Sequence, residues 1–319
     1  MSKKTLIVGL CCIDVVNYVK IFPAQDSDTR VFDMRTCLGG NAANTATVLT
    51  QLTPNIQLCA SLPTGNLLLE QLLKEAKIDT TPCFWRQEEE EDKQYSIPQS
   101  TVIVNETSAT RTVLHYRGDL PEISSAEFQS KFSSGFEEYS WIHFEGRNFD
   151  EIESMMAFVQ QYKSQNPNNS SLKISIEFEK LRSFSWFEKL VKYADIIFMS
   201  KDFAKSKGWE NGNAAVHGLR NDFNAKHATI ICPWGEEGVY ALSSDSDSHI
   251  FVKTIQITAV DTLGAGDCFI GAAIWALNEG IELKKVLEFS VFIAGEKCSQ
   301  KGLRNLKNIT EAKKIIERS

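Results

Sequence analysis

Asp261-Thr262-Leu263-Gly264-Ala265-Gly266-Asp267 is the stretch on which the reading of this chain turns. The extended run Ile255 to Val260 leads into it, and the apolar, Ala-rich helix Cys268 to Leu277 follows. Glycines 264 and 266 let the backbone take positive φ and approach a ligand closely. At a helix N-terminus, the amides of Ala265, Gly266 and Asp267 converge on an anion. Asp267 then stands in the first helical turn beside that anion, with a carboxylate free to accept a proton. An anion hole and a base on one turn suit phosphoryl transfer to a hydroxyl. Taken alone, the same residues also read as a tight glycine turn capping a buried helix.

A second constellation lies near the amino end. Gly9-Leu10-Cys11-Cys12-Ile13-Asp14 places an acid just after the first predicted strand, and Gly39-Gly40-Asn41-Ala42-Ala43-Asn44 opens the next helix. Two asparagines three apart share a helix face. Asp14, Asn41 and Asn44 offer the mixed donors and acceptors that a polyhydroxy ligand requires. Asn41 also fits a plain N-cap after a Gly-Gly turn, which leaves Asn44 unaccounted for. Neither G-x-x-x-x-G-K-[ST] nor a G-x-G-x-x-G after the first strand occurs, which disfavours P-loop NTPases and dinucleotide enzymes.

Between these segments short apolar runs alternate with amphipathic ones. Strands are expected at 5–11, 56–60, 140–144, 173–177, 195–199, 228–232 and 238–242, and helices at 41–52, 65–77, 151–164, 186–193 and 212–223. Helices at 266–279 and 283–298 and a terminal one at 310–318 complete the chain. This alternation predicts an α/β fold with a mostly parallel central sheet flanked by helices. Residues 29–37, 101–105 and 111–117 read as strands without helices, the last two forming a hairpin around Asn105-Glu106-Thr107-Ser108-Ala109. Together they predict a small β-sheet lid, and small sheets at the mouth of a parallel one exclude water from a reaction. The acidic run Glu88 to Asp92 reads as a solvated loop.

The 319 residues carry a formal net charge of −7, which argues against a nucleic-acid partner. No apolar stretch reaches membrane-spanning length. The eight cysteines include no C-x-x-C pair or zinc-type spacing and read as buried, reduced residues of a cytoplasmic protein. Leu6 to Ile13 is followed by Asp14 and no small-residue cleavage site, so it reads as a first strand rather than a signal segment.

GGNAAN at 39–44 and DTLGAGD at 261–267, in that order, resemble the two signature motifs of the ribokinase-like (PfkB) carbohydrate kinases. Further stretches resemble the ketohexose-phosphorylating branch of that family: Trp141 to Asn148, Ser200-Lys201-Asp202, Trp234 to Gly238, Ala294-Gly295 and Lys297-Cys298. The resemblance runs from about Leu6 to Leu303 and implies one ribokinase-like three-layer domain over 1–319, with a lid formed by about 14–38 and 95–119. It implies ATP-dependent formation of fructose 1-phosphate from fructose, with Asp267 as general base and Gly264, Ala265 and Gly266 as anion hole. Asp14, Asp26, Gly40, Asn41 and Asn44 fall on sugar-binding positions, Asp26 reaching the sugar of a partner subunit in a dimer paired through the lids. Arg111 falls on a lid arginine that meets the nucleotide's phosphates, and Gly235, Glu236, Glu237 and Gly238 on a loop bordering the nucleotide. ATP and Mg²⁺ are implied, with K⁺ as an activating cation, and no direct metal ligand is assigned. Ser200-Lys201-Asp202-Phe203 stands where many relatives carry N-x-x-E, so Glu177 and Glu179 remain as outer-shell candidates. The expected adenine-side stretch Lys253 to Thr258 lacks proline. Kinases of ribose, adenosine or another sugar, and a catalytically silent binding relative, are the alternatives.

Overall fold

The computed structural model describes residues 3–87, 95–108, 110–169, 171–179 and 185–317. The acidic run at 88–92 and the hairpin tip at 109 lie outside them. In chain order come β1 (Lys4–Val8), β2 (Cys12–Val19), β3 (Asp33–Gly39), α1 (Asn41–Leu49), β4 (Ile56–Cys59), β5 (Ser61–Pro63), α2 (Leu67–Glu75), β6 (Phe84–Arg86), β7 (Gln99–Asn105), β8 (Thr110–Tyr116), α3 (Ser125–Lys131), β9 (Tyr139–Glu145) and α4 (Phe149–Gln165). The second half holds β10 (Lys173–Phe178), α5 (Ser185–Val191), β11 (Ile196–Met199), α6 (Lys201–Ser206), α7 (Gly212–Asp222), β12 (Thr229–Pro233), β13 (Gly238–Leu242), β14 (Ile250–Lys253), α8 (Ala265–Asn278), α9 (Leu283–Cys298) and α10 (Ile309–Glu317).

Eight strands form the main sheet in the order β14-β13-β12-β11-β10-β9-β1-β4. The pairs from β4 across to β12 are parallel, while β13 and β14 add antiparallel at the edge. Successive side chains of a strand face opposite ways, and β1 shows the result. Ile7 packs with Leu58, Ala43 and the apolar residues of α8 and α9, whereas Leu6 and Val8 join Phe144, Met156 and Ile174 on the other face. Helices therefore cover both faces. α8, apolar nearly all round, is buried between its neighbours from Asp267 to Ala276.

A separate sheet has the order β3-β2-β7-β8. The 101–117 hairpin and the 29–37 strand appear as predicted, the latter shifted to Asp33–Gly39. β2 was not anticipated: Asp14 lies inside it rather than in a loop after β1. The polar Asp14 and Asn17 interrupt its apolar run, and only pairing on both sides, Asp14 opposite Cys37 and Ser100, makes it a strand. Val16, Tyr18, Val102 and Val104 form this sheet's own buried cluster, against which Leu263 of the 261–267 segment packs. β8 is exposed along its length, including Leu114 and Tyr116.

Gly238, the turn into β13, sits at φ 139° with a would-be Cβ 2.1 Å from the Val252 carbonyl oxygen. Neither backbone can yield without breaking the β13–β14 pairing. Gly238→Ala is expected to cost about 2 kcal/mol or more and lower Tm by several degrees, measured by calorimetry.

Candidate active site

The strand order reverses at β1: the chain runs from β1 out to β4 on one side, then from β9 outward on the other. Crevices at such a switch point, beyond the carboxyl ends of parallel strands, are where α/β sheets place ligands. The two sequence constellations meet here.

Gly9 ends β1, and a Cβ there would lie 2.6 Å from both Cβ and Oε2 of Glu145, at the end of β9. The bare glycine lets the Glu145 carboxylate accept from the Leu10 amide at 2.7 Å and the Ala42 amide at 3.3 Å. Glu145 thereby ties the exit of β1 to the start of α1. The Arg147 guanidinium, itself held by Glu122, stands 3.5 Å from its other oxygen. Gly40 caps α1 at φ 88°, where a Cβ would meet the Leu10 carbonyl oxygen at 2.5 Å.

Asn41 is the first helical residue and makes no capping bond. Its amide instead donates to Glu177 Oε1 at 3.1 Å and Glu179 Oε2 at 2.8 Å. Asn44 Nδ2 donates to Asp267 Oδ2 at 2.8 Å, joining residues 223 positions apart and the two motifs directly. The plain N-cap reading of Asn41 is therefore set aside, and Asn44 finds its reason.

The 261–267 segment forms the expected turn into a helix, with positive φ at Gly264 alone, Gly266 being helical. Gly264 is the N-cap of α8 in the left-handed region, φ 77°, with no side-chain cap. A Cβ on Gly266 would meet nothing within 4 Å, so the turn faces open space. The Ala265 amide donates back to the Thr262 carbonyl at 3.3 Å. The Gly266 and Asp267 amides meet no acceptor among the described residues, which leaves two donors aimed outward at the helix N-terminus.

Asp267 is 8% exposed. Burial, then the charges of Glu179, Glu145 and Asp14, push its carboxyl up to about 7, against the Asn44 hydrogen bond. Glu177 is driven well above the carboxylate range by burial and by Asp267, and its Oε2 is buried without a partner. Among the described residues no three His, Cys, Asp or Glu side chains are arranged to hold a metal ion.

Asp14, raised by burial, accepts from the Cys12 thiol at 3.4 Å. Gly39 lies hard against it: a Cβ there would fall 2.1 Å from Asp14 Oδ1. Asp14 and Asn44 line a cavity of about 270 Å³ whose far wall includes Arg35, Leu38, Leu263 and Leu303. Two residues of the small sheet reach the 261–267 segment. Arg35 of β3 donates to Asp261 Oδ2 at 2.8 Å, and Arg111 of β8 to Thr262 Oγ1 at 3.1 Å. Arg111 is thus not a free hairpin charge. Asp26 stands apart, exposed in the β2–β3 connection at φ 60°, with no hydrogen bond to the other candidates.

Gly235, Glu236 and Glu237 form a short helical turn before Gly238, their glutamates exposed. The Thr254 amide donates to the Glu237 carbonyl at 3.4 Å, so this loop and the 253–258 stretch are neighbours. Trp234 is a buried wall beneath the loop, as its apolar size predicts. Gly295 of α9 gives Ile255 room: a Cβ would lie 2.6 Å from its Cδ1. Sequence reasoning missed Arg35 and the role of Glu145, because each acts through a partner more than a hundred residues away.

A buried carboxyl beside two helix-N-terminal amides without acceptors, with polar side chains converging from a second motif, is an arrangement suited to phosphoryl transfer. Residues 2–310 match the family model described as pfkB family carbohydrate kinase, and the chain belongs to that family. It is 33% identical over 303 residues to Ketohexokinase from Mus musculus, covering 94% of this chain and 98% of that one. Its fold is similar to the ribokinase of Giardia lamblia (TM-score 0.82, 18% identity, all of both chains). It is likewise similar to Arabidopsis thaliana ribokinase complexed with ribose and ATP (TM-score 0.75, 16% identity, all of both chains). The protein is an ATP-dependent sugar kinase of ribokinase-like fold. Among the described residues no helix is long and apolar enough to cross a membrane.

Proposed function

We propose that the protein phosphorylates a ketohexose, fructose, at its primary C1 hydroxyl, forming fructose 1-phosphate and ADP. The observation that carries this reading is the Asn44–Asp267 hydrogen bond, which unites a polyol-binding motif with a base held at the phosphate turn. The choice of ketohexose is supported by the likeness to the mouse ketohexokinase along nearly the whole chain.

Asp14, Gly40, Asn41 and Asn44 bind and orient the sugar, and Gly235 to Gly238 with Arg111 border the nucleotide. The C1 oxygen attacks the γ-phosphorus in line as the bond to the β,γ-bridging oxygen breaks. Asp267 takes the hydroxyl proton, the 264–267 turn stabilises the transferring phosphoryl, and ADP carries away the electron pair. Mg²⁺ fits this site. The unpartnered Glu177 Oε2, with Glu179 beside it, presents acceptors suited to holding the ion's water shell. Bound there with the nucleotide, the ion supplies charge neutralisation on the phosphates. K⁺ is proposed as an activator, and the cytoplasm as the compartment.

The small sheet is the lid and the surface of a homodimer. Support comes from the apolar side chains that the sheet leaves exposed on its two edge strands, Met34 of β3 and Leu114 and Tyr116 of β8, with Val31 and Phe32 just before β3. Asp26, unengaged in one chain, would then reach a partner's sugar. Sedimentation is expected to give twice the chain mass.

An ADP-release assay over fructose, ribose, adenosine and related sugars tests the substrate. Turnover confined to fructose supports the proposal. Turnover with ribose or adenosine alone replaces the substrate, and no turnover with any acceptor points to a silent relative. Because the base must be ionised, kcat/KM is expected to fall as pH drops through about 7. A flat profile from pH 6 to 8 would count against Asp267.

A further inference from the structure

Lys297, near the end of α9, is the one charged residue among the largest fully buried side chains of the described chain, at 0% exposure. Its ammonium lies 2.6 Å from the Asp261 carbonyl oxygen and 3.3 Å from Asp261 Oδ2. An ammonium taken out of water is stabilising only with close partners, and a pair of apolar residues of similar volume is often no less stable than a buried ion pair. Its partner is the first residue of the phosphate turn.

Asp261 is held from every side. Arg35 meets Oδ2 at 2.8 Å and the Gly302 amide meets the same oxygen at 3.1 Å, while the Leu263 amide closes the turn onto Oδ1 at 2.9 Å. Next to Lys297, the Cys298 carbonyl accepts from the amides of Val260 and Asp261, at 2.7 and 3.1 Å. Lys297 and Cys298 thus grip both the backbone and the carboxylate at the entrance to the turn. Lys297 neutralises Asp261 from within the core, where salt and water do not reach, whereas Arg35 does so from the small sheet.

We propose that Lys297 is a positioning residue for phosphoryl transfer. Its ammonium fixes the orientation of the Asp261–Asp267 turn, and so the direction of the Gly266 and Asp267 amides. It touches neither substrate. The proposal rests on the assignment of the 264–267 turn as anion hole, but on no particular sugar.

The test is Lys297→Met in the purified full chain, assayed with whichever acceptor the wild type phosphorylates. The expected result is a kcat ten- to a hundredfold lower, with sugar KM within twofold and Tm within a few degrees. Asp261→Asn, which removes the charge from the other end and keeps the shape, is expected to repeat the loss of kcat at unchanged sugar KM, with a larger fall in Tm because the buried ammonium loses its counter-charge. Lys297→Ala is expected to regain several-fold in kcat with methylammonium chloride and not with sodium chloride at equal ionic strength. A second readout needs no turnover: in calorimetric titration, the preference for ATP over ADP falls in Lys297→Met. Wild-type kcat in folded Lys297→Met, with unchanged ATP-over-ADP preference, would overturn the proposal. So would a loss appearing only as a lower Tm with full activity per folded molecule, in whichever of the variants folds. A change of preferred sugar in folded Lys297→Met would place Lys297 at the acceptor site and likewise overturn the proposal.

Discussion

Asp267→Asn is expected to lower kcat by roughly 10²–10⁴-fold, the usual worth of a positioned general base. Its geometry would survive, because Asn can still accept the Asn44 hydrogen bond, observed at 2.8 Å, through its amide oxygen. ATP binding is expected to change little. The same substitution should raise stability. Burial and neighbouring carboxylates lift Asp267 from 3.8 to about 7. The folded chain therefore retains a proton that the unfolded chain releases, and stability falls as pH rises through that window. Asn carries no such penalty, so the variant is expected to be more stable above pH 7 by on the order of a few kcal/mol, fading toward pH 4. Thermal melts at pH 5 and 8 with turnover assays measure both effects. Near-normal kcat would end the mechanism, and an unchanged Tm difference between the two pH values would end the account of the buried charge.

Gly39→Ala ranks second, and it acts at a distance of one atom. The added methyl would fall 2.1 Å from Asp14 Oδ1 and 2.2 Å from its Cγ. A short carboxylate side chain can rotate away, so the fold is expected to survive while Asp14 leaves its place. A hydrogen bond to a charged group is worth about 1.5–3 kcal/mol, which converts to a sugar KM roughly ten- to more than a hundredfold higher. The KM for ATP is expected to stay within twofold, since the Gly235–Gly238 loop and Arg111 lie elsewhere in the site. An unchanged sugar KM in folded Gly39→Ala would remove Asp14 from the sugar site.

Much of the frame was readable before any coordinates. Strands buried on both faces carry near-continuous apolar runs, so the parallel β1, β4, β9, β10, β11 and β12 and the antiparallel β13 stood out within a few residues of their observed limits. The antiparallel edge was not legible at β14, because Ile250 to Lys253 is half exposed and its residues pack mainly on one side. β2 was hidden for a related reason: Asp14 and Asn17 look like loop residues until β3 and β7 take their backbone groups. The short helix α3 depends on a capping box, with Ser124 and Glu127 bonding each other's backbone. That signal was present in the sequence and went unused.

The candidate site divides in the same way. Gly264 could be assigned from sequence because tolerance of positive φ, observed at 77°, is a property of the residue itself, whereas Gly266 is helical and the open space around it comes from the fold. Asn41 stood out in the sequence but its partners did not, since its two glutamates come from β10 and the strand's end. Arg35 carried no local signal, and Glu145 and Lys297 stood out only within stretches of resemblance that gave them no role. An arginine on an exposed strand and a lysine in a helix are ordinary until Asp261 is brought between them.

Returning to Asp261–Asp267, sequence alone determined a turn with the right glycines, a helix behind it and a carboxylate in its first turn, because those follow from local backbone preferences. Tertiary structure decided what that carboxylate is. Packing of α8 between α1 and α9 takes Asp267 out of water, and the strand reversal at β1 brings Glu145, Glu177 and Glu179 around it. Low dielectric and like charges then hold its proton near neutral pH. That condition belongs to no segment of the chain, and arises only where elements more than two hundred residues apart are folded together.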